Sequence, residues 1–280
     1  MLHREKGILM EISGKVAVIT GAASGIGRAV AIELARRNIR AIALVDMGEN
    51  IDTVASEINT LAGRTVAYPF RGNTTDDAFR TSVFDTMSSQ FDTITMCVPA
   101  AGITRDELAV RIDKVSGKAR IYPVELFKQV IDVNLVAPVY WALEMIGRIA
   151  ENRAARGLKR WLPAEGMQGA IVFIGSISSQ GNRGQISYAS TKAGLEGAAA
   201  TIMKEAVFYG VRCGVIHPGF TDTPMVRALG EDYISKHILP FTQLSRLIRP
   251  DEIADAICFM LANSAVSGEL WADAGWHAPA

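Results

Sequence analysis

The sequence predicts an α/β protein in which a doubly wound, mostly parallel sheet lies between two layers of helices. Short β-branched runs at residues 15–20, 41–45, 94–98, 169–174 and 211–216 are continuously apolar rather than alternating, as strands buried on both faces are. Between them, segments 28–38, 126–150 and 188–208 carry apolar residues at three- and four-residue spacing with few β-branched interruptions, which is the helical pattern. The strand–helix rhythm continues to residues 266–273 with no internal repeat, low-complexity linker or change of composition. A single domain over residues 14–280 follows, preceded by a leader of little structural weight at 1–13.

Taken in order, the leader holds one short apolar stretch, 8–10, interrupted by Glu11 and too short for a signal-peptide core. The first strand, 15–20, runs into a glycine-rich turn, and Arg28 opens the first helix. The second strand ends at Asp46. Two segments break the rhythm: 114–123, and the basic stretch 148–169 with Arg153, Arg156, Lys159 and Arg160. The second reads as a solvated helix end plus loop, with an interface or an anion-binding rim as the alternative. Residues 224–247 read as a substrate lid whose Met225, Leu229, Ile234, Ile238 and Phe241 offer an apolar wall.

Lys plus Arg (29) balance Asp plus Glu (29), so no broad basic face exists to bind phosphate backbones or an anionic membrane surface. Nucleic-acid and membrane partners are not expected. Apolar runs end well before the roughly 18 residues that a membrane helix needs. Cys97, Cys213 and Cys258 sit in apolar stretches without close spacing, which suits a reducing, cytoplasmic protein. His3, His217, His237 and His277 have no partner at metal-ligand spacing, so no metal is expected.

After the first strand comes Thr20-Gly21-Ala22-Ala23-Ser24-Gly25-Ile26-Gly27. Glycines at this point allow a tight turn, close approach of a ligand to the backbone, and close helix–strand packing, while helix N-terminal N–H groups offer positive potential to a pyrophosphate. Asp46 stands where a carboxylate accepts hydrogen bonds from the adenosine ribose hydroxyls. It would repel a 2′-phosphate, the next residues are Met47, Gly48 and Glu49, and Ser24 occupies a turn position where an arginine could meet that phosphate. The expected cofactor is NAD.

Tyr188 and Lys192 are spaced to share one helical face, and an ammonium beside a phenol favours phenolate. Tyr188 is therefore a candidate general acid/base. Ser176 ends the preceding strand at the carboxyl edge of the sheet, where open α/β sheets bind ligands, and its hydroxyl can hold a carbonyl or carbinol oxygen. A Ser/His/Asp hydrolase is not favoured, because Gly-x-Ser-x-Gly is absent.

With these motifs in place, residues 12–276 resemble the short-chain dehydrogenase/reductase family and are similar to its 3-oxoacyl-(acyl-carrier-protein) reductase-like branch. The resemblance implies a Rossmann fold with a mostly parallel seven-stranded sheet. It implies a catalytic set of Asn134, Ser176, Tyr188 and Lys192, with Asn134 anchoring a proton-relay water beside Lys192. Cofactor contacts then fall on Gly21, Ser24, Gly25, Ile26, Gly27, Asp46, Asn73, Ala101, Gly102, Tyr188, Lys192, Pro218, Gly219, Thr221 and Thr223. Two departures stand out. The fourth-strand motif reads Pro99-Ala100-Ala101-Gly102 where the family usually has Asn-Asn-Ala-Gly, and a stability cost is expected from the missing Asn; the segment between Asn134 and Ser176 is longer than usual. In the family the helices here starting near Leu126 and Tyr188 pack against subunit mates, implying a homo-tetramer or homo-dimer. The expected function is an NAD(H)-dependent oxidoreductase acting on a secondary alcohol or ketone. The rivals are an NADPH-dependent 3-oxoacyl-thioester reductase and a non-catalytic NAD-binding regulatory protein.

Overall fold

The computed structural model describes residues 10–276. Its centre is a seven-stranded parallel sheet in the order β3-β2-β1-β4-β7-β8-β9. The inner strands β1 (Val16–Thr20), β2 (Ala41–Asp46), β4 (Met96–Pro99), β7 (Gly169–Ile174) and β8 (Val211–Pro218) are almost entirely buried, as their unbroken apolar runs require. At the two edges lie β3 (Ala67–Arg71) and β9 (Gly268–Ala272). In β3 burial alternates and Pro69 interrupts the sequence, which is tolerated because an edge strand leaves one row of backbone groups unpaired.

One face of the sheet is covered by α1 (Gly25–Arg36), α2 (Ile51–Ala62) and α9 (Pro250–Ala262), the other by α3 (Asp77–Gln90), α5 (Ala137–Ala155) and α6 (Ile186–Ala206). Each face builds its own core, one around Ile19, Leu34, Ile42 and Ile257, the other around Phe84, Trp141, Phe173 and Val215. The helix starts at Gly25 rather than at Arg28, so the glycine turn itself forms its first turn. Residues 1–9 of the expected leader lie outside the described residues, as do His3 and His277. Of the remainder, Met10 and Ile12 carry more structural weight than expected: both are buried in the core, and Met10 N–H donates to Ala262 O at 2.9 Å.

A helical stretch from Val124 to Ala155 comprises α4 (Val124–Ile131), a π-turn at Asp132–Val136, and α5. Pro138 has no N–H to offer the Asn134 carbonyl in α register, and the chain shifts there to a longer bond, Ala137 N–H to Asp132 O. By length and composition alone this stretch, with a mean hydropathy of 1.3, could cross a membrane, which the sequence reading did not anticipate. In the fold its buried face, with Trp141, Ala142 and Met145, covers the sheet.

The two rhythm-breaking segments resolve differently. Around the first, β5 (Val110–Ile112) and β6 (Ala119–Ile121) form an exposed antiparallel hairpin. In the second, Arg153 is buried, donates to Glu165 at 2.6 Å and to Lys159 O at 3.0 Å, and so staples the loop to α5. Its charge is consumed internally, while Arg156, Lys159 and Arg160 are exposed.

Candidate active site

At the carboxyl ends of β1, β2 and β4 a cavity of about 720 Å³ opens. Its floor is the glycine turn. Gly21 has φ +66, and a Cβ there would lie 2.7 Å from the Ala101 nitrogen, while a Cβ on Gly27 would collide with the Gly21 carbonyl oxygen. Only glycine permits this close layering of turn, helix and fourth strand. Asp46 is fixed at the rim: Oδ2 accepts from Ala23 N–H at 2.9 Å and Oδ1 from Gly48 N–H at 2.8 Å. Ser24, Gly25, Ile26, Asn73, Ala101, Gly102, Tyr188, Lys192 and Thr223 line the same space. The volume and the bare backbone floor fit an extended dinucleotide.

A second cavity of about 150 Å³ adjoins it and is lined by Ser176, Tyr188, Pro218, Gly219, Thr221 and Thr223. Ile26, Tyr188 and Thr223 border both spaces, so the predicted residues divide between a long cofactor-sized cleft and a small chamber that meet at Tyr188. Asn134 lines neither. It is fully buried behind the fourth-strand turn, with Oδ1 accepting from Ile103 N–H and Nδ2 donating to Ile103 O, both at 2.8 Å. Together with the Thr20 hydroxyl, which accepts from Ala101 N–H at 3.2 Å, it ties down the turn that lacks the usual Asn.

Tyr188 and Lys192 do share a face of α6, with the Lys192 ammonium 5.4 Å from the centre of the Tyr188 ring. Their electrostatics differ from expectation. Burial pushes the Tyr188 phenol up to about 12, against a lowering effect from the hydrogen bond with Ser176; the Asp106 carboxylate pushes it further up. Lys192 is not among the causes of that shift: its own value lies below that of Tyr188, so it is neutral before the phenol ionises, and its Nζ donates to Ile174 O at 2.6 Å. Burial holds Lys192 itself down at about 8. Ser176 is buried at the end of β7, its Oγ accepting from Ser178 N–H at 3.0 Å.

Several residues of the small chamber had no sequence signal. Gln185 Nε2 donates to Asp106 Oδ2 at 2.7 Å while its Oε1 accepts from Ser178 and Asn182, giving the chamber a polar wall. Opposite stand Phe220, Met225, Val226 and Leu229. The lid that carries the last three contains α7 (Pro224–Arg227) and α8 (Glu231–His237). Only part of its expected apolar wall faces the chamber: Ile234 and Ile238 are buried with Leu247 in a small core of the lid's own, and Phe241 is exposed against Trp276.

Comparison with known proteins places this geometry. The family model for short chain dehydrogenase matches residues 15–234. The chain is 31% identical over 263 residues to the 3-oxoacyl-(acyl-carrier-protein) reductase FabG of Escherichia coli (strain K12), covering 93% of this chain and 96% of that one. It is also 31% identical over 270 residues to an acetoacetyl-CoA reductase of Synechocystis, covering 95% and 97%. Among solved structures, a short-chain type dehydrogenase/reductase from Mycobacterium marinum superposes with a TM-score of 0.80 at 23% identity, covering 96% and 98%, a likeness of fold.

Proposed function

The chain belongs to the short-chain dehydrogenase family, an oxidoreductase family that binds a nicotinamide cofactor, and on that premise we propose that it uses NAD(H) to interconvert a secondary alcohol and a ketone. The observation that carries the cofactor preference is the Asp46 carboxylate, immobilised by two backbone N–H groups at the rim of the long cavity. Its remaining lone pairs suit the two hydroxyls of a ribose and oppose a 2′-phosphate. Nearby Arg71 is already paired with Glu49 at 2.9 Å, and Arg28 with Glu57 at 2.6 Å. When bound, the nicotinamide supplies the hydride chemistry.

In this reading Tyr188 carries the proton. A phenol held near 12 keeps its hydrogen at neutral pH, which suits donation to the oxygen of a ketone as it is reduced. The Ser176 hydroxyl orients that oxygen. Lys192 reaches the cofactor side of the tyrosine, where it holds a ribose. Asn134 spends both ends of its amide on Ile103, so a relay water beside Lys192 would rest on the Asn134 main-chain carbonyl, which Pro138 relieves of its helical donor. The polar wall of Gln185 and Asp106 facing Met225 and Leu229 suits a small substrate with both a polar and an apolar end. The names of two relatives keep a 3-oxoacyl-thioester reductase as the second reading, since such thioesters are ketones. A cytoplasmic homo-dimer or homo-tetramer completes the proposal.

The test is the dissociation constant of each cofactor. A loss of one charge-assisted hydrogen bond corresponds to about 1.5–3 kcal/mol, hence at least roughly tenfold tighter NAD(H). Asp46→Ser combined with Met47→Arg should shift the ratio toward NADP(H). Equal affinities in the wild type would refute the role given to Asp46, and a substrate panel of alcohols, ketones and 3-oxoacyl thioesters separates the two substrate readings.

A further inference from the structure

Beside Ser176, and lining neither cavity, His217 lies near the end of β8 with its ring fully buried. The ring lies flat on Trp271, with centroids 4.3 Å apart and planes 15° from parallel. Nδ1 meets the Ser176 backbone, accepting from Ser176 N–H at 3.3 Å or, in the other tautomer, donating to the Ser176 carbonyl oxygen at 3.2 Å. Nε2 points the other way, between two carboxylates: Glu269 Oε2 of β9 at 3.2 Å and Glu196 Oε1 of α6 at 3.8 Å. Despite these approaches, Nε2 makes no hydrogen bond among the described residues, so neither carboxylate lies along its N–H direction.

This is a poor arrangement for an isolated imidazole. If Nδ1 accepts from Ser176 N–H, the proton sits on Nε2 and is aimed at neither carboxylate; if Nδ1–H donates to the Ser176 carbonyl, Nε2 presents a bare lone pair and three acceptors converge with no donor among them. A cation at their centre removes the conflict. The three atoms all lie within 4.8 Å of one another. Bonds of about 2.0–2.1 Å in tetrahedral geometry set ligand atoms roughly 3.3 Å apart, and they place each carboxylate off the axis of the ring nitrogen, as found here. We propose that Glu196, His217 and Glu269 form a divalent transition-metal site, best suited to Zn²⁺, with water in the open position. One nitrogen and two oxygens are a Zn²⁺ donor set, whereas Ca²⁺ and Mg²⁺ require more oxygen ligands. Glu196 and Glu269 side chains are 30% and 43% exposed, which gives the ion an entry path. In the metal-binding tautomer the Ser176 carbonyl receives Nδ1–H and is the outer partner that metal-bound histidines use to fix their orientation. No local spacing announces the site, because its ligands come from α6, β8 and β9.

Isothermal titration of the full-length protein with Zn²⁺ alone, paired with the visible spectrum of a Co²⁺ titration, tests it. The expected result is saturable binding of one equivalent and a Co²⁺ absorption typical of four-coordinate nitrogen/oxygen ligation. Glu196→Gln and Glu269→Gln change partly exposed side chains and should keep the fold by circular dichroism, while each weakens Zn²⁺ binding by roughly tenfold or more. Absence of saturable binding below roughly 100 µM free Zn²⁺, or binding of unchanged affinity in both variants, would overturn the proposal.

Discussion

Tyr188 and Lys192 illustrate how one residue pair trades stability for chemistry. Tyr188→Phe keeps the ring and removes the proton, so the catalytic rate should fall by two to four orders of magnitude while the cofactor dissociation constant stays close to that of the wild type; a rate above a tenth of the wild type would contradict the assignment. Lys192 is a buried ammonium whose folded value of about 8 lies below its ordinary 10.5. Between those values the unfolded chain holds the proton that the folded chain has lost, so this residue's penalty is full below about pH 8 and fades as pH rises toward 10.5. Lys192→Met should therefore raise stability at pH 7 by about 1–2 kcal/mol after allowing for the lost bond to Ile174 O, abolish activity, and lose its advantage near pH 10. Thermal melts of both proteins at pH 7 and pH 10 read this directly; an equal advantage at both values would exclude desolvation as the cause.

At the scale of elements, the lid is held by Ile234, Ile238 and Leu247, which pack with Phe220, Val226 and Leu239 rather than with the sheet. Ile234→Ala should loosen it, raising KM for the carbonyl or alcohol substrate severalfold while cofactor affinity and the main thermal transition change little; truncating a buried Ile costs about 2–5 kcal/mol where it packs, and here that loss stays local. A matching fall in cofactor affinity would show that the lid and the long cavity act as one. The same elements show what was legible beforehand. Buried parallel strands announce themselves by continuous apolar runs, and the glycine turn, Ser176, Tyr188 and Lys192 by short spacings that the fold preserves. Edge strand β3 was missed because half of it faces outward around Pro69, and the β5–β6 hairpin because both strands are exposed and carry no pattern. Asp106 with Gln185, and Glu196 with His217 and Glu269, were invisible since topology alone brings them together. Lys192 differs from expectation for another reason: helical spacing puts it beside Tyr188, but burial lowers its own value and raises that of Tyr188, which spacing cannot show.

For the whole molecule, Val136, Tyr140 and Leu143 leave an apolar stripe exposed along one face at the start of α5, at helical spacing, although α5 already covers the sheet with its other side. A symmetric assembly buries such a stripe. Light scattering at micromolar concentration should give a mass of two or four times 30.2 kDa, and Tyr140→Glu with Leu143→Glu should reduce it to the monomer; a wild-type monomer would refute the assembly. The lid's separate core has a different implication at this scale. Because Ile234, Ile238 and Leu247 form a cluster separate from the two cores that hold the sheet, residues 224–247 can diverge with little disturbance to those cores. Substitutions in the lid can therefore retune which substrate is admitted while the folding of the nucleotide-binding scaffold stays the same, so that specificity and foldability can vary separately.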